Sequence, residues 1–263
     1  MHNNIQNNSK KDSQKQKGAQ SIHRAIDLLR SVAKYNNKGG ATLSKIARDT
    51  DLHVATVHRI LLALVTEGLL TYDPAIKRYH LGFELFSLGA SAQQFAIRER
   101  YHPAVVRIAE ETEDTVFLII RLGNDSLCLD RVEGKFPIRY LPIEIGDRRP
   151  VGFGVGSLAL IAFLPDEQFE SIIFENRRSY PQYKQHLSTE DIRNRAKQCR
   201  KSGYVVSEGL FHENITGVGV PIFDKKGEKV LLSISVSAIS QRMSPNRIKK
   251  IAQLIMKVSQ EHA

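Results

Sequence analysis

The stretch Leu43–Val65, LSKIARDTDLHVATVHRILLALV, holds two short apolar periodicities with a polar break between them. Leu43, Ile46 and Ala47 recur at i, i+3 and i+4, which predicts a helix over about Leu43–Thr50. Val57, Ile60, Leu61, Leu64 and Val65 continue that pattern to i+8, so a second helix over about Val54–Thr66 carries a full core-facing stripe. Ala55, Thr56, His58, Arg59 and, further on, Leu62 are left outside. Small and hydrogen-bonding side chains with one arginine, on a rigid apolar back, suit a recognition helix in the major groove of DNA. A helix pair in some other helical domain would carry the same stripes, so the flanks decide.

Upstream, Ile22, Ile26, Leu29 and Val32 predict a first helix over Ser21–Lys34, stopped by NNKGG with Gly39 and Gly40. Downstream, Gly68 can take the left-handed conformation that closes the second helix. Leu69–Leu81 then reads as a hairpin, LLTYD and RYHL around a PAIK turn, with Leu70 and Tyr72 alternating on one strand and Tyr79 and Leu81 on the other. Lys77 and Arg78 sit at or near its tip. Three helices followed by a hairpin with a basic tip make a winged helix-turn-helix, whose wing lies over the phosphate backbone. The candidate DNA contacts are therefore His53, Ala55, Thr56, His58, Arg59, Lys77 and Arg78, and the expected partner is a double-stranded operator.

Charge agrees with that partner. Of the formal net charge of +10, residues 1–82 carry +7, from 13 Lys and Arg against 6 Asp and Glu. A basic excess in the part that holds the helix pair is the electrostatic footprint of a polyanion binder. Residues 1–18, rich in Asn, Gln, Lys and Ser, read as a disordered basic arm in which Lys10, Lys11, Lys15 and Lys17 serve an inert solubilising tail or, alternatively, add non-specific phosphate attraction. This end has no apolar signal-peptide core, and no run approaches the roughly 18 apolar residues of a membrane span. Cys128 and Cys199 are far apart and form neither a disulfide framework nor a metal pattern. A cytoplasmic location, with no membrane partner, is expected.

Residues 83–100 read as a linker helix, with Leu85, Leu88 and Gly89 on one side and Phe83, Phe86 and Phe95 adding bulk for a dimer contact. A further helix from about His102 is expected to open with Pro103 at a favoured early position. From Thr115 the pattern turns to strands: TVFLIIRL, a GND turn, SLCLDRVE, and an irregular third in FPIRYLPIEIG, where Pro137 and Pro142 suggest an edge. Gly152, Gly154 and Gly156 precede an apolar helix over about Ser157–Leu164. Backbone N–H groups at such a start can receive an anion, although tight packing on a sheet explains the same glycines. Asp166 is placed as the cap of a helix to about Asn176. Ser188 and Asp191 form a capping box for a helix ending at Gly203. Two strands joined by DKKG follow, the second alternating Leu232, Ile234 and Val236 with Ser233, Ser235 and Ser237. Ser244-Pro245 opens the last helix, with Ile248, Ile251, Ala252 and Ile255 inward. The class is α+β, and residues 101–263 are expected to form a self-contained mixed sheet with helices.

Taken in order, SIHRAIDLL, LSKIARDTDLHVATVHRILLALVTEGLL, RYHLGFELFSLG, RVEGK, GDRRPV with LALIAFLP, GYVVSEG, GVPIFDKKG and SISVSAISQRM resemble the isocitrate-lyase-regulator (IclR) family of bacterial transcription factors. The resemblance covers about Gln20–Ala263. It implies a winged helix-turn-helix over 19–82, the linker helix, a GAF-like mixed α/β effector domain, and dimers that often pair into tetramers on DNA. It places the effector site at Gly154, Val155, Gly156, Ser157, Ser207, Gly217, Ser235 and Ser237. Many relatives have His, Thr, Gly and Lys at Gly152, Gly154, Ser157 and Leu158. Members that bind small oxo-acids carry an Asp at Ser207 and a Cys at Gly217. The smaller residues here leave room for a larger effector, such as an aromatic or acyl acid.

The expectation is a transcriptional regulator whose operator binding answers to an organic acid. The acid would lie between the Gly152–Ser157 loop and the strand bearing Ser235 and Ser237, held by N–H groups and hydroxyls without a buried cation. Two alternatives stand beside it: a dimerising DNA-binding factor without a ligand, and an enzyme in the second half. The nine histidines are scattered, with no pair at metal-ligand spacing, and the adjacent His212 and Glu213 suit an exposed loop. No catalytic residue, metal or cofactor is therefore assigned.

Overall fold

In the computed structural model, which describes residues 5–90, 93–179, 187–209 and 213–262, helices α2 (Leu43–Thr50) and α3 (Val54–Thr66) form where their periodicity predicts. Ile46, Ala47, Val57, Leu61 and Leu64 are buried, while Leu43, Ile60 and Val65 are partly buried at the margin. Asp51 ends α2 in the left-handed region at φ 53°, which a short polar side chain tolerates.

Helix α1 spans Ile5–Ala33 and so takes in most of the stretch expected to be a disordered arm. No proline interrupts Ile5–Lys17, and its glutamines and lysines are good helix formers. Its buried stripe is also rotated from the expected one. Leu28 and Val32 are fully buried and Ala25 and Leu29 partly so, whereas Ile22 is 63% and Ile26 39% exposed. The set 25, 28, 29, 32 is a complete i, i+3, i+4, i+7 stripe, and it is the one that meets α2 and α3.

Strands β1 (Leu70–Asp73) and β2 (Arg78–Leu81) pair antiparallel from Leu70↔Leu81 to Asp73↔Arg78. Ala41 adds a bridge to Tyr79, a single-residue third strand that ties the wing to the segment before α2. Helix α4 (Glu84–Ala90) buries none of its residues, and Phe83 and Phe86 are 90% and 70% exposed.

Helix α5 (Gln93–Thr112) overturns the expected break near Arg100, because Pro103 lies inside it. The lost N–H costs one helical bond. Tyr101, Ala104, Val105, Ile108 and Ala109 are buried on both sides of that position, and their packing carries the helix through. The chain divides into two compact units after Phe95, so α5 begins in the first and continues in the second.

The second unit is a six-stranded sheet of β3 (Thr115–Leu122), β4 (Asp125–Val132), β5 (Arg148–Pro150), β6 (Val205–Glu208), β7 (Ile215–Phe223) and β8 (Val230–Ile239), in the order β5-β4-β3-β8-β7-β6. Every pairing is antiparallel, where a mixed sheet is expected. The FPIRYLPIEIG segment forms no strand, and β5 pairs with β4 in its place. Helices α6 (Val155–Ala159), α7 (Asp166–Ser179), α8 (Thr189–Ser202) and α9 (Pro245–Gln260) complete the unit. Helix α6 is a single turn, shorter and earlier than expected, and Asp166 lies in the first turn of α7 instead of capping it.

The sheet is buried on both faces, which is why β3 reads as one apolar run. One face packs Val116, Leu118, Ile234 and Val236 against α5 and α9. The other packs Phe117, Ile119 and Cys128 against α6, α7 and α8.

Candidate nucleic-acid interface and effector cavity

Helix α2, which shares its core with the recognition helix α3, is tied to α1 and to the turn that follows it. The Ser31 and Tyr35 hydroxyls donate to Asp49 Oδ2 on α2 at 3.1 and 2.8 Å. The bond from Tyr35 holds the Asp49 carboxyl below its usual range. On α3 the residues His53, Ala55, His58 and Arg59 are exposed and Thr56 is half-buried. His53 is the N-cap, its Nδ1 accepting from the Ala55 N–H at 3.4 Å. That bond uses Nδ1 as the acceptor.

The two wing cations are not equivalent. Lys77 lies exposed in the turn at φ 54°, after Asp73 has closed the loop by accepting from the Ala75 and Ile76 N–H groups. Arg78 opens β2, and its Nη1 donates to the Gly39 and Gly40 carbonyls at 3.3 and 3.1 Å. It braces the turn before α2 as well as adding charge.

In the second unit, one cavity of about 100 Å³ gathers Gly154, Val155, Gly156, Ser157, Ser207, Gly217, Ser235 and Ser237. One water needs roughly 10–15 Å³ on the same measure, so the space admits a small organic molecule. Period-two alternation makes this possible. With Leu232, Ile234 and Val236 in the α5–α9 core, Ser233, Ser235 and Ser237 face the other way. Ser233 is committed to structure, donating to the Gly156 carbonyl at 2.8 Å.

The glycines set how closely α6 approaches. A Cβ on Gly219 would stand 2.5 Å from the Val155 carbonyl, and one on Gly156 would stand 2.6 Å from Ile119 Cδ1 and 3.0 Å from Ser235 Oγ. Packing on the sheet therefore accounts for these two glycines. The Gly154 φ of 122° supplies the turn into the helix.

The rest of the lining is what the sequence reading misses. Phe117, Ile119, Ile143, Phe153 and Ile215 make the cavity largely apolar, and Ser126, Tyr140, Pro142 and Arg149 close it. Among the described lining residues Arg149 is the one charged side chain. Its Nη2 donates to the Pro142 carbonyl, and Ser126 Oγ donates to the Arg149 carbonyl at 3.0 Å. Burial raises the Tyr140 hydroxyl above its ordinary range, and the nearby Arg149 charge partly opposes this.

Residues 89–262 match the family model described as the bacterial transcriptional regulator IclR C-terminal, and residues 21–74 match the IclR helix-turn-helix domain. The chain belongs to the IclR family. It is 26% identical over 232 residues to the transcriptional regulator KipR of Bacillus subtilis, covering 87% of this chain and 92% of that protein. It is 25% identical over 241 residues to the transcriptional repressor AllR of Escherichia coli, covering 91% and 88%. An IclR homologue from Microbacterium hydrocarbonoxydans, solved with 4-hydroxybenzoate, shares the fold at a TM-score of 0.76 and 21% identity over 92% of this chain and 98% of that one. Like other IclR regulators, the chain joins a helix-turn-helix DNA-binding domain to a C-terminal effector domain.

Both cysteines of the chain are buried in the second unit. Burial pushes the Cys128 and Cys199 thiols up to about 12, so neither is a thiolate nucleophile at neutral pH. Among the described residues no three His, Cys, Asp or Glu side chains gather as a metal site. His212 lies outside the described residues. None of the described helices is long and apolar enough to cross a membrane.

Proposed function

We propose that this IclR regulator binds its operator through the first turns of α3 and the wing, and that a small organic acid in the C-terminal cavity sets its affinity. The observation that carries the reading is the cavity. Residues from α6, its preceding loop and all six strands of the sheet, distant in sequence, line one space large enough for a ligand. The apolar lining and the half-buried arginine favour an anion with an apolar body, since a guanidinium beside apolar groups pairs well with a carboxylate. A homologue of the same fold was solved with 4-hydroxybenzoate, which makes an aromatic acid the first probe.

Operator binding falls to His53, Ala55, Thr56, His58 and Arg59 for base and nearby backbone contact, and to Lys77 and Arg78 for phosphate. The exposed Phe83, Phe86 and Leu88 support a homodimer or tetramer contact along the linker. A cytoplasmic site of action fits a DNA-binding protein whose two cysteines are both free. Ligand binding regulates only if it favours one arrangement of the recognition helices over another. The continuous helix α5 supplies the covalent route for that preference.

Thermal unfolding of the full chain with a panel of carboxylic acids led by 4-hydroxybenzoate tests the reading. An acid at one hundred times its Kd stabilises the folded state by about 2.7 kcal/mol, a shift of several degrees. Ser235→Ala with Ser237→Ala should lose most of that shift. An unchanged shift in the double variant would remove these serines from the site.

A further inference from the structure

We propose that Arg149 is the anchor for the effector's carboxylate, and that Ser235 and Ser237 read a second hydrogen-bonding group at the other end of the ligand. The proposal rests on the cavity being the effector site, and it reverses the orientation in which the serines hold the acid.

Among the described lining residues, the side chains are apolar except for a few hydroxyls and this guanidinium, and none is acidic. Arg149 is half-buried on this wall, where reduced solvent screening strengthens its pairing with an anion. The guanidinium is also held in place for that meeting. One donor of its fork goes to the Pro142 carbonyl, and its backbone carbonyl is pinned by Ser126. The rest of the fork matches a carboxylate in a bidentate pair, which a lysine cannot form. Helix α6, by contrast, is a single turn and offers little dipole to an anion.

The sheet order sets the ligand's shape. Strand β5, with Arg149, is separated from β8, with Ser235 and Ser237, by β4 and β3. At a strand spacing of about 4.8 Å the two backbones lie on the order of 14 Å apart, a gap the long arginine side chain shortens. Phe117 and Ile119 of β3 line the middle. The ligand class that fits is a carboxylate on an aromatic or similarly flat apolar body, with a hydroxyl or second polar group at the far end.

Calorimetry on the full-length protein separates the two ends. The probes are 4-hydroxybenzoate, benzoate and 4-hydroxybenzamide, and the variants are Arg149→Leu, Arg149→Lys and the Ser235→Ala/Ser237→Ala double. Wild type should prefer 4-hydroxybenzoate over its uncharged amide. Arg149→Leu should weaken the acid at least about tenfold, leave the amide unchanged and so erase the preference. Arg149→Lys, which keeps the charge and loses the fork, should fall between them, and it carries the test if the leucine variant does not fold. The serine double should bind 4-hydroxybenzoate no better than benzoate yet still prefer acid to amide. Equal binding of the acid to wild type and Arg149→Leu, with loss in the serine double, would overturn the role of Arg149 and leave the effector site standing. If neither acid binds wild type, the aromatic-acid reading of the cavity and this proposal fall together.

Discussion

Single residues carry separable tasks, and the wing shows it most directly. Lys77 is an exposed cation, whereas Arg78 is also a brace on the Gly39 and Gly40 carbonyls. Lys77→Ala should flatten the salt dependence of operator binding by about one unit and leave thermal stability unchanged. Arg78→Ala should weaken binding too, but with about 1–2 kcal/mol of lost stability, because two carbonyls lose a charged donor. Equal melting temperatures for the two variants would refute the brace. In the second unit, a Cβ on Gly219 meets backbone at 2.5 Å, whereas one on Gly156 meets the movable end of Ile119. Urea titration should therefore find Gly219→Ala the more destabilised, by about 1–3 kcal/mol. Legibility at this scale follows locality. Ser235 and Ser237 are readable because strand alternation fixes their face. Arg149 is not, because β5 is three residues long and only its pairing with β4 places it on the cavity.

Elements are legible where their ends carry their own chemistry. The α8 cap is one such end: Ser188 Oγ accepts from the Asp191 N–H at 3.0 Å, and Asp191 Oδ2 accepts from the Ser188 N–H at 3.1 Å. The Ser188 hydroxyl, then its N–H, holds the Asp191 carboxyl below its usual range. A carboxyl lowered by folding adds stability that is complete above its unfolded value, near 3.8, and is lost as pH falls through the lower folded value. The advantage of wild type over Ser188→Ala should thus be steady at neutral pH and shrink below about pH 4; an advantage that grows on acidification would contradict the box. Helix α5 is the opposite case. Pro103 argues locally for a helix start, yet packing on both sides overrides it. Pro103→Ala restores an N–H at an exposed position and should raise the midpoint of chemical unfolding, by about 1–3 kcal/mol in stability. The stripe of α1 was ambiguous for a different reason. Two helical faces share Leu29 and Val32, and only the position of α2 and α3 chooses between them.

For the whole molecule, the division into a basic DNA-binding part and an effector part is written in charge distribution and in the switch of hydrophobic period from helix to strand. The antiparallel order β5-β4-β3-β8-β7-β6 is not, because strands far apart in the chain meet only in the folded sheet. That order brings the residues proposed for the effector into one space, so the location of the cavity needed the fold while about half its lining was nameable beforehand. Filling this cavity should change how tightly the chain holds DNA. The direct measurement is a titration of operator DNA, recovered by selection from a random-sequence pool, against the full chain with and without a saturating acid from the thermal panel. The acid should shift operator Kd by about 5-fold or more in wild type, within the usual range of allosteric coupling, and the Ser235→Ala/Ser237→Ala double variant, which keeps Arg149, should need a higher acid concentration for the same shift. An acid that binds the cavity of the wild-type protein while operator Kd stays the same would contradict this coupling.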